Sequence, residues 1–329
     1  MIGKTFLIYR KPLVKQMRIN EEIRFLAEQL SQILCLGRIT DIRESAVDTY
    51  EKGYSGAEIF RIECSFENKE KQSFICKKAE LKERMVMRRL TEQGHLYTPA
   101  AYSENCSSQE PKWMIQQDLG TRIAASRNDR EWMRNVAVAF AEIHGNNMDR
   151  GNEMPWLAQA DADYWNKIVT QISLSHFEKA VCEDNDFARQ FEAVLPKLQA
   201  AGRQFAEDMI SLCEESQWLT LTHGDVQDIN GSHVYNINMH PYIIDFGFSS
   251  YAPFYIDLVD YFSLDEAFLY RQMLADKGFC INPNDFEERF RIASKYPGFI
   301  YMFPGIMQWK NGSENRLKCC LRKILNDFI

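Results

Sequence analysis

The chain has 329 residues, 45% of them hydrophobic and 26% charged, with a net charge of −7 at pH 7; this is the balance of a folded protein, and at roughly 150 residues per domain it leaves room for two domains or lobes. No apolar run approaches the ~20 residues that cross a bilayer. The opening MIGKTFLIYRKPLVKQMRIN breaks its short apolar patch at Arg10 and Lys11, unlike a signal peptide. Nine cysteines without a CxxC pair argue against a zinc site or a disulfide framework, and for reduced thiols in a cytoplasmic protein.

In chain order, NEEIRFLAEQLSQIL (20–34) places Ile23, Leu26, Leu30 and Ile33 at helical spacing. IFRIEC (Ile59 to Cys64) and SFICK (Ser73 to Lys77) alternate as strands around a polar turn at Glu67 to Glu70. A helix is predicted over 80–93, and strands over Pro99 to Tyr102 and Trp113 to Gln117. After Gly120, Met133, Val136, Phe140 and Ile143 mark a helix ending near His144 and Gly145. Residues 161–216 read as largely helical with a break near Asp184 to Asp186. Short strands around polar loops follow over 218–247, then a mainly helical tail over 255–329. A sheet-rich half before a helix-rich half predicts α+β lobes rather than an alternating parallel sheet, divided near residues 116–120.

Charge is uneven along the chain. Residues 1–120 carry 19 Lys/Arg and 17 Asp/Glu, a net of +2, and residues 121–329 carry 20 and 29, a net of −9. Between Arg203 and Arg271 there are eleven acidic residues and no Lys or Arg. Such a field repels nucleic acid and anionic membrane and attracts cations.

Three stretches carry chemistry. GYSGAEIFRI (Gly53 to Ile62) is either a plain hairpin turn or a loop whose backbone amides approach phosphate closely. Lys77 ends a strand on the same face as Ile75. It is either an exposed strand-end lysine or a phosphate-holding one paired with Glu83, or with Glu80 in reserve. LTHGDVQDIN (221–230) and YIIDFG (Tyr242 to Gly247) bring Asp225, Asn230 and Asp245 together if residues 232–246 form a hairpin. Oxygen ligands of that kind suit magnesium, with Asp225 left to deprotonate a hydroxyl.

HGD, four residues, then Asn, followed by IDFG, resembles the signature of the aminoglycoside phosphotransferase and choline kinase group within the protein-kinase-like fold. WMIQQDLG (Trp113 to Gly120) resembles that family's hinge, AVAFAEIHG (Ala137 to Gly145) a helix of its second lobe, and YIDLVDYF (Tyr255 to Phe262) the Asp-Leu segment after its metal-binding strand. The resemblance implies a bilobal α+β fold with lobes at 1–117 and 118–329. It implies Asp225 as catalytic base and Asn230 and Asp245 as Mg²⁺ ligands. Lys77 with Glu83, the loop residues Gly53, Ser55 and Gly56, Ile75, and Ile115, Gln116 and Asp118 of the hinge form the nucleotide-binding set. His223 is structural, bracing the loop, and Asp228, Asp257 and Asp260 are the acceptor-facing candidates. The motif reads HGD rather than HRD and no Ala-Pro-Glu follows, so peptide-substrate machinery is absent from the reading.

The expectation is a cytoplasmic kinase, monomer or homodimer, that uses ATP or GTP with Mg²⁺ to phosphorylate an aminated acceptor, an aminoglycoside or related antibiotic. A choline-like amine or amino alcohol is the alternative acceptor. A nucleotide-binding pseudokinase scaffold is the alternative of another class. The aromatics Tyr251, Phe254, Tyr255, Tyr261 and Phe262 would form a cation–π cage for a quaternary amine or, more commonly for such spacing, core.

Overall fold

Asn20 caps the first helix. Its Oδ1 accepts from the Ile23 amide at 2.9 Å, satisfying a donor that has no partner within the turn, and α1 runs Glu21–Ile33. The computed structural model describes residues 19–45, 57–104, 106–120, 128–214, 216–227 and 233–325. Ile23, Leu26, Ala27 and Leu30 form the buried stripe of α1. The stripe lies on a five-stranded antiparallel sheet made of β1 (Ile39–Ser45), β2 (Ile59–Phe66), β3 (Lys71–Ala79), β4 (Ala101–Tyr102) and β5 (Lys112–Gln117), in the order β1-β2-β3-β5-β4.

Strand alternation decides what each face does. Phe60, Ile62 and Cys64 of β2, Phe74 and Cys76 of β3, and Ile115 of β5 are buried under α1. The register pairs Ile59 with Lys77, Arg61 with Ile75, and Ile75 with Gln116, so these residues share the opposite face. Between β3 and β4, α2 (Leu81–Glu92) buries Glu83, Arg84, Val86, Met87 and Leu90. The Arg84 guanidinium donates to the carbonyls of Glu104, Ser108 and Glu110, which ties down the approach to β5.

The second part is mainly helical. Asp129 caps α3 (Arg130–Asn147). Then α4 (Ala162–Lys167) continues through π-helical turns at Ile168–Leu174 into α5 (Ser175–Glu183). Asp184 breaks the run and caps α6 (Asn185–Phe191), followed by α7 (Leu195–Cys213). Two antiparallel pairs come next: β6 (Leu219–Thr222) with β9 (Ser250–Pro253), and β7 (Val234–Ile237) with β8 (His240–Ile243). The β7–β8 loop is Asn238-Met239, both at positive φ (52° and 65°), as a two-residue type I′ turn requires. The tail supplies α8 (Tyr255–Tyr261), α9 (Leu264–Asp276), α10 (Pro283–Ala293), α11 (Tyr296–Ile300), α12 (Met302–Lys310) and α13 (Asn315–Ile324).

The α+β organisation is thus the expected one, with two local differences. β1 was not anticipated, because ITDIRES is a polar edge strand without clean alternation. The strand region extends past residue 247 to Pro253, because β9 completes β6. Tyr251, Phe254, Tyr255, Tyr261 and Phe262 are all at most 5% exposed and belong to the main core, so they form no cage for a soluble amine. No described helix is long and apolar enough to cross a membrane.

Candidate active site

Lys77 stands at the centre of the site. It is 8% exposed, a position where an ammonium needs partners to stay charged. Its Nζ donates to Glu83 Oε1 at 2.6 Å and to Asp245 Oδ1 at 2.8 Å. Glu83 reaches it because α2 starts at Leu81, straight after β3, so five intervening residues suffice and Glu80 becomes the N-cap residue instead. Burial works against the Lys77 charge, but the two carboxylates outweigh it and hold the ammonium above its ordinary pKa. For Glu83 burial dominates and raises the carboxyl, with Lys77 opposing. Burial also pushes Asp245 upward, yet Lys77 and His233 overcome it and Asp245 ends below the usual range. Asp245 adopts φ 63°, a left-handed conformation uncommon outside glycine. Such backbone strain costs roughly 1–3 kcal/mol and persists where surrounding contacts impose it.

The second half of the site is the loop after β6. The Asp257 carboxylate, 0% exposed, accepts from the His223 amide at 2.7 Å and the Gly224 amide at 2.8 Å, and contacts His144 Nε2 at 3.1 Å. His223 Nε2 lies 2.7 Å from the Ile244 carbonyl, and its Nδ1 accepts from the Asp225 amide at 3.2 Å. A carbonyl only accepts, so these partners fix the neutral Nε2–H tautomer. Burial, first among its causes, holds His223 below the ordinary imidazole value, consistent with that form. Gly224 has φ +77°, and a Cβ there would meet the Phe248 carbonyl oxygen at 2.7 Å. Gly224→Ala therefore combines a left-handed penalty with overpacking, and a loss of about 2–4 kcal/mol in chemical denaturation is expected. Wild-type stability in that variant would show that the loop relaxes freely.

The loop presents Asp225. Tyr301 Oη lies 2.8 Å from Asp225 Oδ1 and 2.6 Å from Asp260 Oδ2, and the Gln227 amide donates to Asp260 Oδ2 at 2.6 Å. His233 spans the two halves: its Nδ1 donates to the Asp225 carbonyl at 2.6 Å, and its Nε2 lies 3.9 Å from Asp245 Oδ2. Burial pushes the Asp260 carboxyl up to about 6, against its hydrogen bonds with Tyr301 and the Gln227 amide. In the unfolded chain it titrates near ~3.9, so the folded state binds the extra proton between about pH 4 and 6. The stability this contributes is complete below about pH 4 and is lost as pH rises through about 6, a change on the order of 3 kcal/mol. The Asp260→Asn variant should lack that component in the difference between its stability–pH curve and that of the wild type. Superimposable curve shapes would contradict the assignment.

Of the residues predicted from sequence, Lys77, Glu83, Asp225 and Asp245 converge, and Ile75 lies on the Lys77 face. Asn230, Asp228, Gly53, Ser55 and Gly56 lie outside the described residues. Ile115 points the other way, fully buried under α1 between β3 and β4, so its side chain makes no part of the cleft. Gln116 pairs with Ile75 on the cleft face. The Asp118 carboxylate is held by Arg61 Nε at 2.7 Å and the Gly120 amide at 3.0 Å, which staples β2 to the end of β5. Asp257 and Asp260 do not face an acceptor. The first is sealed under the loop and the second is 6% exposed behind Tyr301. Sequence reasoning missed His144, His233 and Tyr301. His233 alone had a local signal, since it directly precedes the hairpin.

Asp245 is an oxygen ligand of the kind magnesium takes, with further positions left to water and phosphate. Among the described residues Asp245 Oδ2 makes no hydrogen bond, and the Asp245 side chain is 36% exposed. A buried ammonium beside a metal-competent carboxylate, linked through His233 to the backbone carbonyl of Asp225, suits phosphoryl transfer. That reaction needs positioning and charge neutralisation more than covalent help.

Comparison with known proteins agrees with this geometry. The GDP and kanamycin complex of APH(2")-IIia superimposes with a TM-score of 0.53 at 16% identity, over 91% of this chain and 98% of that one. Choline kinase from Cryptosporidium parvum Iowa II gives 0.58 at 13% identity, over 87% and 88%. Plasmodium vivax ethanolamine kinase gives 0.53 at 13%, over 87% and 80%. At these identities the likeness establishes the bilobal protein-kinase-like fold. No curated protein sequence matches the chain. Residues 60–284, more than half of the chain, match the family model described as "Phosphotransferase enzyme family". That span contains Lys77, Glu83, Asp225, Asp245 and Asp257, and the chain belongs to the phosphotransferase enzyme family.

Proposed function

We propose that the chain transfers the γ-phosphoryl group of ATP or GTP to a hydroxyl of an amine-bearing small molecule, an aminoglycoside or related antibiotic, with a choline-like amino alcohol as second choice. The observation that carries this reading is the Lys77–Glu83–Asp245 cluster joined through His233 to Asp225. In it, Lys77 holds phosphate oxygens and Glu83 fixes the ammonium. Asp245, with Asn230, holds Mg²⁺, which when bound neutralises phosphate charge. Gly53, Ser55 and Gly56 cover the phosphates, and the backbone around Gln116 and Asp118, where the lobes 1–117 and 118–329 divide, holds the base. Asp225 takes the proton of the acceptor hydroxyl, and Asp228 faces the acceptor amines.

Support for an aminated acceptor comes from the acidic stretch between Arg203 and Arg271. The similar structures also include proteins described as a choline kinase, an ethanolamine kinase and a kanamycin complex. The same reading places the enzyme in the cytoplasm as a monomer or homodimer.

The test is release of nucleoside diphosphate with magnesium, ATP and GTP separately, against kanamycin, spectinomycin, choline, ethanolamine and the amine-free polyol glycerol. Stimulation of about tenfold or more over hydrolysis by an amine-bearing acceptor and none by glycerol is expected. Equal stimulation by glycerol would remove the amine requirement. No stimulation by any acceptor despite tight nucleotide binding would favour a scaffold.

A further inference from the structure

We propose that Tyr301 and Asp260 are positioning residues for the candidate base: Tyr301, held by Asp260, engages Asp225 Oδ1 and leaves Oδ2 to receive the acceptor proton. This rests on the reading of Asp225 as that base. α11 and the residue after it deliver two hydroxyls to adjacent positions of the loop. Tyr296 Oη donates to the Gly224 carbonyl at 2.8 Å, and Tyr301 Oη reaches Asp225 Oδ1 at 2.8 Å. Asp260 anchors the second of these at 2.6 Å and also takes the Gln227 amide at 2.6 Å. Gln227 has φ 58°, so the Asp260 carboxylate also holds a left-handed residue two positions after Asp225. Arg316 closes the far side, its guanidinium carbon 5.1 Å from the Tyr301 ring centroid. Among the described residues Asp225 Oδ2 has no hydrogen bond. A carboxylate fixed through one oxygen cannot rotate freely, so the other oxygen keeps its aim. Misplacement of a reacting group by about 1 Å costs roughly 10²-fold in rate.

Tyr301 touches the base and Asp260 acts through Tyr301 and Gln227, whereas Lys77 is held by Glu83 and Asp245, so loss of either should appear in kcat and not in nucleotide affinity. The experiment measures phosphoryl release from MgATP and MgGTP to water, to kanamycin and to choline, together with nucleotide Kd and Tm. Its variants are Tyr301→Phe, Asp260→Asn, Asp260→Leu, Asp225→Asn and the double variant Asp225→Asn/Tyr301→Phe. Tyr301→Phe is expected to lower kcat by about 10- to 100-fold with Kd changed by less than about twofold. Asp260→Asn, which keeps a polar group beside Tyr301 Oη and an oxygen for the Gln227 amide, should retain more kcat than Asp260→Leu. The double variant should match Asp225→Asn, because a residue that acts through another adds nothing once that other is gone.

The inference is overturned if Asp225→Asn is inactive while Tyr301→Phe keeps wild-type kcat. It is also overturned if Tyr301→Phe lowers the residual rate of Asp225→Asn by its full factor. Full activity of Asp225→Asn, or an inactive wild-type chain, removes the functional reading and this inference together.

Discussion

Asp225→Asn is expected to lower kcat by about 10²- to 10⁴-fold, the range for loss of a positioned general base, while nucleotide affinity is retained. The amide oxygen still accepts from Tyr301, so the loop keeps its shape, but the side chain no longer takes a proton at the acceptor. Lys77, the group proposed to hold phosphate, is bonded to Glu83 and Asp245 and not to Asp225. Single-turnover transfer and calorimetric nucleotide titration on the same preparation separate the two effects. A variant that transfers at near wild-type rate would show that the proton goes elsewhere.

The second large effect is on stability. Asp257→Ala strips the acceptor from the His223 and Gly224 amides and from His144 Nε2 in a site with no solvent access. Each stranded buried donor costs about 1–3 kcal/mol. A loss of about 3–5 kcal/mol is therefore expected, similar to breaking a buried ion pair. That is a large part of the roughly 5–15 kcal/mol that holds a domain folded. Denaturant titration gives the value directly. A loss under about 1 kcal/mol would mean that water enters and replaces the carboxylate. The loop that aims Asp225 loosens in the same variant, so kcat should fall along with stability.

Much of this site was legible in the sequence because its parts are local. HGD and IDFG flank one hairpin, and Lys77 and Glu83 lie either side of a strand-to-helix junction. The brace role of His223 was also legible, as its partners are Asp225, two residues on, and Ile244 within the same motif pair.

What the sequence hid depends on long-range pairing. Asp257 looked acceptor-facing because its partners are backbone amides, which leave no mark in side-chain identity, 33 and 34 residues away. Tyr301 lies 76 residues from Asp225 at a helix junction that no pattern places beside the loop. Ile115 was assigned to the nucleotide through the likeness of WMIQQDLG to a kinase hinge, which says nothing of where its side chain faces. Its facing is set by pairing to Cys76 and by the apolar underside of α1. The π-helical turns at Ile168–Leu174 likewise follow from packing, since the sequence reads as ordinary helix.

The most direct test of a magnesium-nucleotide site at Lys77 and Asp245 is the affinity for ATP and GTP with and without Mg²⁺, in the wild type and in Asp245→Ala. The metal should strengthen binding to the wild type by about tenfold or more and leave Asp245→Ala unchanged. The same metal-dependent gain in both proteins would place the cation, and with it the transferred phosphate, away from Asp245.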